Sequence, residues 1–469
     1  MDQHSESTVT TSTAEWSKLP SDILQHLVNY IDLTLDLPRI RGVCSSWRTS
    51  LPLNKFHKPP SYFRVPKLDI RLQLSILLIQ SRFYLISPLA DNNTTPWLVR
   101  IAETGLNKWH LLNPFNVDDY FHSDPPITTR INLLDFRVIE VAKPWSVQVV
   151  SGEGHTMSKK VVGGWNLNAD YIFAVLAQLE VSLHIGEGGL MFKRLHDRKW
   201  VPIKSTFRQN GEDSEHRILD TAYHNGLFYA FELVNWKVGV IDPTKPDISS
   251  LIFMDAPDCH GESINDQFSF LIDGVRYILN CVCLVPCNEQ LYLVIGSTKK
   301  RSSSSSKTTL FVFVLKQGDK IEESKWERVT NLVDHILFIG YDVSFGVSSS
   351  ILPNWKPGSI CTFRKPFPLR YDGCTSRFQG LPEGGQSLKM ISYPEYWRHL
   401  KMYNLKEEEK GFVGFEELSM KEYTGLFFPP PAWVKWSCPT LDNVEFRLNN
   451  LKFSRLKKSD VFSGVDVDE

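Results

Sequence analysis

Two hydrophobic periodicities divide the chain. Between residues 16 and 57, apolar side chains recur at helical spacing. Ile23, Leu24, Leu27, Val28 and Ile31 form one run, and Ile40, Val43, Cys44 and Trp47 form the next. The offsets i, i+3, i+4 and i+7 put each run on one helix face. Ser21 is a candidate N-cap with Asp22 in the first turn, where an acidic group suits the positive helix end. A second start is expected at Asp36, with Pro38 tolerated early in the helix. Arg39, Arg41 and Arg48 fall largely outside the apolar stripe. The pattern predicts two or three short amphipathic helices, a cluster too small to bury all its apolar faces alone.

After Lys58-Pro59-Pro60 the period shortens. Apolar bursts at 83–86, 97–101, 171–176, 227–231, 291–295, 310–315 and 336–339 are separated by turn signals such as Asn225-Gly226 and Gln317-Gly318. Short strands with spaced turns predict a β-sandwich array or a β-propeller. Tryptophans close several strand-like units, at Trp109, Trp200, Trp236 and Trp326, without a strict repeat. Lys299-Lys300-Arg301 and the serines 302–306 read as a solvated loop within 299–309.

Composition agrees with this division and narrows the function classes. With 52 Lys+Arg against 53 Asp+Glu the net charge is -1, which argues against a surface built to grip nucleic acid or anionic membrane. No window approaches the roughly 20 apolar residues of a membrane span. Residues 1–15 are polar and lack the basic start and apolar core of a secretory signal, so the expected location is cytoplasm, nucleus or both. The eight cysteines are scattered. Cys281, Cys283 and Cys287 lack the second paired knuckle of a metal site. Strand alternation puts Cys281 and Cys283 on one face, as reduced core thiols. No metal ligand and no cofactor is expected.

Enzyme signatures are lacking as well. There is no phosphate-binding glycine loop with its lysine, no H-E-x-x-H and no G-x-S-x-G. Gly186-Glu187-Gly188-Gly189 reads as a turn, and no window assembles nucleophile, base and orienting group. No catalytic residue is proposed.

The ordered pattern Leu19-Pro20-x-x-Ile23-Leu24, then Ile31, then Leu35-x-Leu37-x-Arg39, then Val43-Cys44-x-x-Trp47-Arg48 resembles the F-box. The resemblance implies docking on the Skp-type adaptor of a cullin–RING ubiquitin ligase. By it, Leu19, Pro20, Ile23 and Leu24 form the first adaptor-facing group, and Ile31 and Leu35 join the site. Val43, Cys44 and Trp47 divide between packing the module and touching the adaptor. Further along, Pro96–Arg100, Leu111–Phe115, Leu337–Gly340 with Ser344-Phe345, and Leu426–Val434 look like plant F-box proteins with a KIB-type β-propeller.

The expected protein is mainly β with a small N-terminal all-α module, in a propeller of about six or seven blades. Its divisions are a tail at 1–15, the F-box module at 16–57, the propeller at 61–436 and a C-terminal tail at 437–469. The stretch 364–410, rich in Pro, Gly and Lys/Glu, is expected to be irregular. The implied function is target recognition for an SCF-type ubiquitin ligase, without catalysis by the chain itself. The alternatives are a non-degradative F-box regulator that sequesters a partner such as a kinase, and a small-ligand-binding propeller. The target and its binding residues are unknown at this level.

Overall fold

The computed structural model describes residues 18–28 and 36–52 and, between 62 and 418, the segments around the strands named below. Two compact units separate, one containing the helices and the other nearly all of the strands.

The helical unit contains α1 (Ser21–Leu27), α2 (Asp36–Val43) and α3 (Ser45–Ser50). Leu24 and Val28 come from the α1 run, Leu37 from α2, and Leu51 from just beyond α3. Together they make a small core, with Leu19, Ile40 and Trp47 packed against it. None of the described helices is long and apolar enough to cross a membrane. One detail differs from the sequence reading. Pro20, not Ser21, occupies the N-cap, and its carbonyl accepts the Leu24 N–H at 3.1 Å. The fixed proline backbone already closes the first turn, so Ser21 enters the helix.

The described strands of the other unit form four large sheets and one small ladder. In the first sheet the order is Val201–Pro202, Gly189–Arg194, Tyr171–Gln178, Ser158–Trp165, Trp145–Ser151, Leu74–Pro88, Trp97–Gly105, Lys108–Asn113 and Asn116–Tyr120. Tyr62–Asp69 and Phe136–Ala142 also pair with Leu74–Pro88. This sheet exceeds a four-stranded blade because one 15-residue strand serves two ladders. Its first half pairs with Trp145–Ser151, and its second half, from Ser81, pairs with Trp97–Gly105. Arg208–Gln209 and Glu212–Asp213 form the small ladder.

The second large sheet is a meander of Ile218–His224, Leu227–Glu232, Lys237–Ile241 and Ile252–Asp255. Its first hairpin turns at Asn225-Gly226, with φ of 47° and 82°, the left-handed pair that a two-residue turn matched to strand twist requires. The third contains His260–Ile264, Gln267–Ile272, Val275–Cys287, Gln290–Lys299, Thr308–Lys316 and Lys325–Arg328. The fourth runs Ser344–Ser348, His335–Ile339, Ser359–Thr362, Lys401–Glu407, Val413–Leu418, and the pair of His335–Ile339 with Ser359–Thr362 is parallel.

Alternation along the strands explains how these sheets stack. In the third sheet Leu291, Leu293, Ile295, Phe311, Phe313 and Leu315 face one way, onto Tyr229, Phe231, Val238 and Val240 of the second. The intervening Tyr292, Val294, Leu310, Val312 and Val314 face the other way, onto Leu337, Ile339, Ile360 and Tyr403 of the fourth. A strand with period 2 thus supplies two cores at once. The opposite face of the fourth sheet, with Ile336, Phe338, Phe345 and Met402, packs on Phe83, Leu85 and Leu98 of the first. The other end of the first sheet meets the second, where Phe192 and Phe228 make an edge-to-face pair at 5.1 Å. Each large sheet therefore packs on the next, and the fourth returns to the first. That closure is the propeller arrangement.

Polar ties cross between neighbouring sheets. Leu284 N–H donates to the buried Asp220 carboxylate at 2.6 Å, joining the third sheet to the second. His224 Nε2 lies 3.1 Å from Glu289 O across the same boundary, and Tyr292 Oη lies 2.7 Å from His335 Nδ1 across the next.

Cys281 and Cys283 do share a face. Cys281 lies opposite Gly296, where a Cβ would come within 2.5 Å of the Cys281 sulfur, so glycine there leaves space for the thiol. Cys283 and Cys287 are buried in the core between the third and fourth sheets.

The stretch 364–410 differs from its expected irregularity at its end. Lys401–Glu407 is a strand, and Met402, Tyr403, Asn404 and Leu405 are buried. Its central side chains pack into the sheet, but the Lys/Glu run that follows masks the short apolar signal. The rest of that stretch, residues 1–15, Ile31, Leu35, the serines 302–306, Trp200, 184–188 and 419–469 lie outside the described residues.

Candidate functional site

The helical module leaves large apolar side chains in solvent. On α1, Leu24 and Val28 point into the core, while Ile23 and Leu27, also four residues apart, are 46% and 43% exposed. They make a second apolar stripe beside the buried one. At the last position of α2, Val43 is 58% exposed. Pro20 is exposed at the entrance of α1, and Leu19 and Trp47 are half-buried against the core.

The residues proposed from the sequence therefore fall into two groups. Pro20, Ile23 and Val43 are on the surface, with Leu19 and Trp47 partly so. Leu24 is an interior residue. Cys44 has a third role, because it is the N-cap of α3. Its extended backbone (φ −158°, ψ 171°) breaks α2 from α3, and its sulfur accepts the Trp47 N–H at 3.5 Å. Sequence reading placed Leu27 in the periodic run without assigning it to the site. The signal that separates it from Leu24 is a rotation of about 100° per residue around the helix axis. Once Leu24 and Val28 are known to point inward, Ile23 and Leu27 share the neighbouring face.

Gln25 and Arg41 were also not assigned to the site. Gln25 Nε2 donates to Ser21 Oγ at 3.2 Å and to Ser50 O at 3.4 Å, tying α1 to α3. Arg41 Nη1 donates to Arg48 O at 3.0 Å and also to Leu51 O. No motif search weighs such side-chain caps, because they become visible only when the helix ends are placed.

Titratable groups in the strand-rich unit have structural environments. Burial pushes the Cys287 thiol up to about 12 and raises that of Cys361 as well, so both are inert thiols at neutral pH. Burial lowers His224 and His335, the latter opposed more weakly by Asp334, and it raises Tyr292. The Tyr292–His335 contact is thus a hydrogen bond between neutral groups near pH 7. Among the described residues, no group of three or more His, Cys, Asp or Glu side chains is arranged to hold a metal ion.

The family described as KIB1-4 beta-propeller matches residues 76–384, more than half of the chain. F-box protein SKIP23 of Arabidopsis thaliana is 27% identical over 92% of this chain and 98% of its own length. Two further Arabidopsis thaliana proteins, F-box protein At2g17036 and F-box protein At2g26160, are 25% and 23% identical over 92% and 72% of this chain, covering 97% and 91% of themselves. The chain belongs to the KIB1-4 beta-propeller family of plant F-box proteins.

Proposed function

We propose that this protein is the target-recognition subunit of an SCF-type ubiquitin ligase. Its helical module docks on a Skp-type adaptor, and its propeller presents a target protein for ubiquitination. The observation that carries this reading is the outward set Ile23, Leu27 and Val43 on a module that already has its own core. Fully burying an aliphatic side chain is worth about 1.5–3 kcal/mol. Three side chains left roughly half exposed thus retain a substantial gain for a partner that covers them. Leu24 and Trp47 support the docking face from inside, and Pro20 and Leu19 border it.

The chain carries out no transfer chemistry in this reading. It raises the local concentration of target near the conjugating enzyme, a proximity effect. Cytoplasm, nucleus or both suit such a subunit. Co-expression of the full chain with a Skp-type adaptor and a cullin tests the proposal. The wild-type chain is expected to co-purify both, and Leu19→Ala with Pro20→Ala is expected to lose both while the propeller still folds. Full retention of the adaptor by that variant would rule out docking through this module.

A further inference from the structure

The six-residue α3 cannot persist on its own. A helix that short does not recover its nucleation cost in water, and the last four carbonyls of any helix have no partner within it. Here other helices supply those partners. Arg41 of α2 donates to Arg48 O at 3.0 Å and to Leu51 O, while Gln25 of α1 reaches Ser50 O at 3.4 Å. The cap is returned in the other direction, because Arg48 Nε donates to Arg41 O, in the last turn of α2, at 3.3 Å. Each arginine thus closes the C-terminal end of the other's helix, where a cation also suits the negative pole.

The corner Gly42-Val43-Cys44 joins the capped end of α2 to the start of α3. Val43, exposed there, has little packing to fix its position. Its placement is set by the turn geometry, which the arginine pair and the Cys44 cap hold. We propose that Arg41 is a positioning residue for adaptor docking, acting through Val43. It orders the α2–α3 corner in the free protein, so the docking face is formed before the partner arrives. This inference rests on the adaptor-docking reading above. It adds that affinity depends on a side chain whose described donors go to backbone carbonyls within the module.

The test is a double-mutant cycle in the full-length protein, with affinity for a purified Skp-type adaptor measured by calorimetry. The variants are Arg41→Ala, Arg41→Lys, Val43→Ser and the pair Arg41→Ala with Val43→Ser. Arg41→Ala and Val43→Ser are each expected to weaken binding by about tenfold, and the pair by little more than either alone, because both remove one presented contact. Arg41→Lys, which keeps a cationic donor, is expected to recover part of the loss. General destabilisation would instead make the two losses multiply, and that outcome overturns the proposal, as does wild-type affinity in Arg41→Ala. If Val43→Ser alone binds normally while Leu19→Ala with Pro20→Ala does not bind, docking stands and the positioning role falls. If both variants bind normally, the docking reading itself fails. Should Arg41→Ala lose its helical circular dichroism, the cycle is run with Arg41→Lys, and the same criterion of non-multiplying losses applies.

Discussion

The two units solve the burial problem in opposite ways. The propeller uses both faces of each strand, so Tyr292 and Val294 serve one core while Leu291 and Leu293 serve the next. Closure from the fourth sheet back to the first leaves few large apolar side chains outside. Among the described residues of that unit, only Leu89 and Val333 are large hydrophobics with high exposure, at 52% and 62%. The helical module is far smaller, yet it exposes Ile23, Leu27 and Val43. A closed core is complete by itself, whereas the module's apolar surplus is what a binding surface looks like before its partner arrives.

The largest expected effect separates the units by size. Leu24→Ala should cost about 2–5 kcal/mol, comparable to the whole stability of about 3–5 kcal/mol that so small a core can supply. Its expected outcome is loss of the module's helices, read as lost protection of α1 in hydrogen exchange. Phe338→Ala removes a ring that stacks on Phe345 at 5.1 Å and meets Trp355 at 5.4 Å. At about 3–5 kcal/mol the cost is similar, but the propeller should remain folded with a lower midpoint in urea, because its core is shared among four sheets. Unfolding of the propeller by that one change would contradict the picture of distributed cores.

A smaller effect is expected at the boundary between the second and third sheets. Asp220→Ala removes the carboxylate oxygen that accepts the Leu284 N–H, and losing that buried hydrogen bond costs about 1–3 kcal/mol. The thermal midpoint should fall accordingly, with adaptor affinity unchanged.

Acid should weaken the propeller by the smallest amount. Burial holds His224 and His335 below their ordinary 6.5. The unfolded chain therefore binds more protons as pH falls below 6.5, and stability present above that value is lost as pH drops toward the folded values. Comparing midpoints at pH 7.5 and 5.5 checks this, and replacing both histidines with Gln should flatten the difference.

Much of the fold was legible because its signals are local. The helical run at Ile23–Leu27 and the apolar bursts at 227–231, 291–295 and 310–315 lie in the expected element types, whereas the run Ile40–Trp47 is split at Cys44, whose extended backbone separates α2 from α3. The Asn225-Gly226 turn was equally plain. Less legible was whatever depends on distance. The fusion of two ladders on Leu74–Pro88 adds to its nearby hairpin partner a second one, Trp145–Ser151, more than 60 residues away. The strand Lys401–Glu407 is stabilised by its pairing with Ser359–Thr362 and Val413–Leu418. At the candidate site, periodicity found the apolar residues but not the sorting of Leu24 inward and Ile23 outward, which depends on where the other helices sit. The caps made by Arg41, Arg48 and Cys44 have no sequence period at all, since they join helix ends.

The most direct test of the central claim compares exposed apolar residues in the two units. Affinity of the full-length protein for a purified Skp-type adaptor is measured for two double variants, Ile23→Ser with Val43→Ser and Leu89→Ser with Val333→Ser. Surface changes of this kind should shift stability by only about 0.5 kcal/mol each. The expected result is a loss of at least about a hundredfold for the helical pair, a sum of two well-buried contacts, and no change for the propeller pair. Equal affinity for both variants would show that the exposed face of the helical module is not where the adaptor binds.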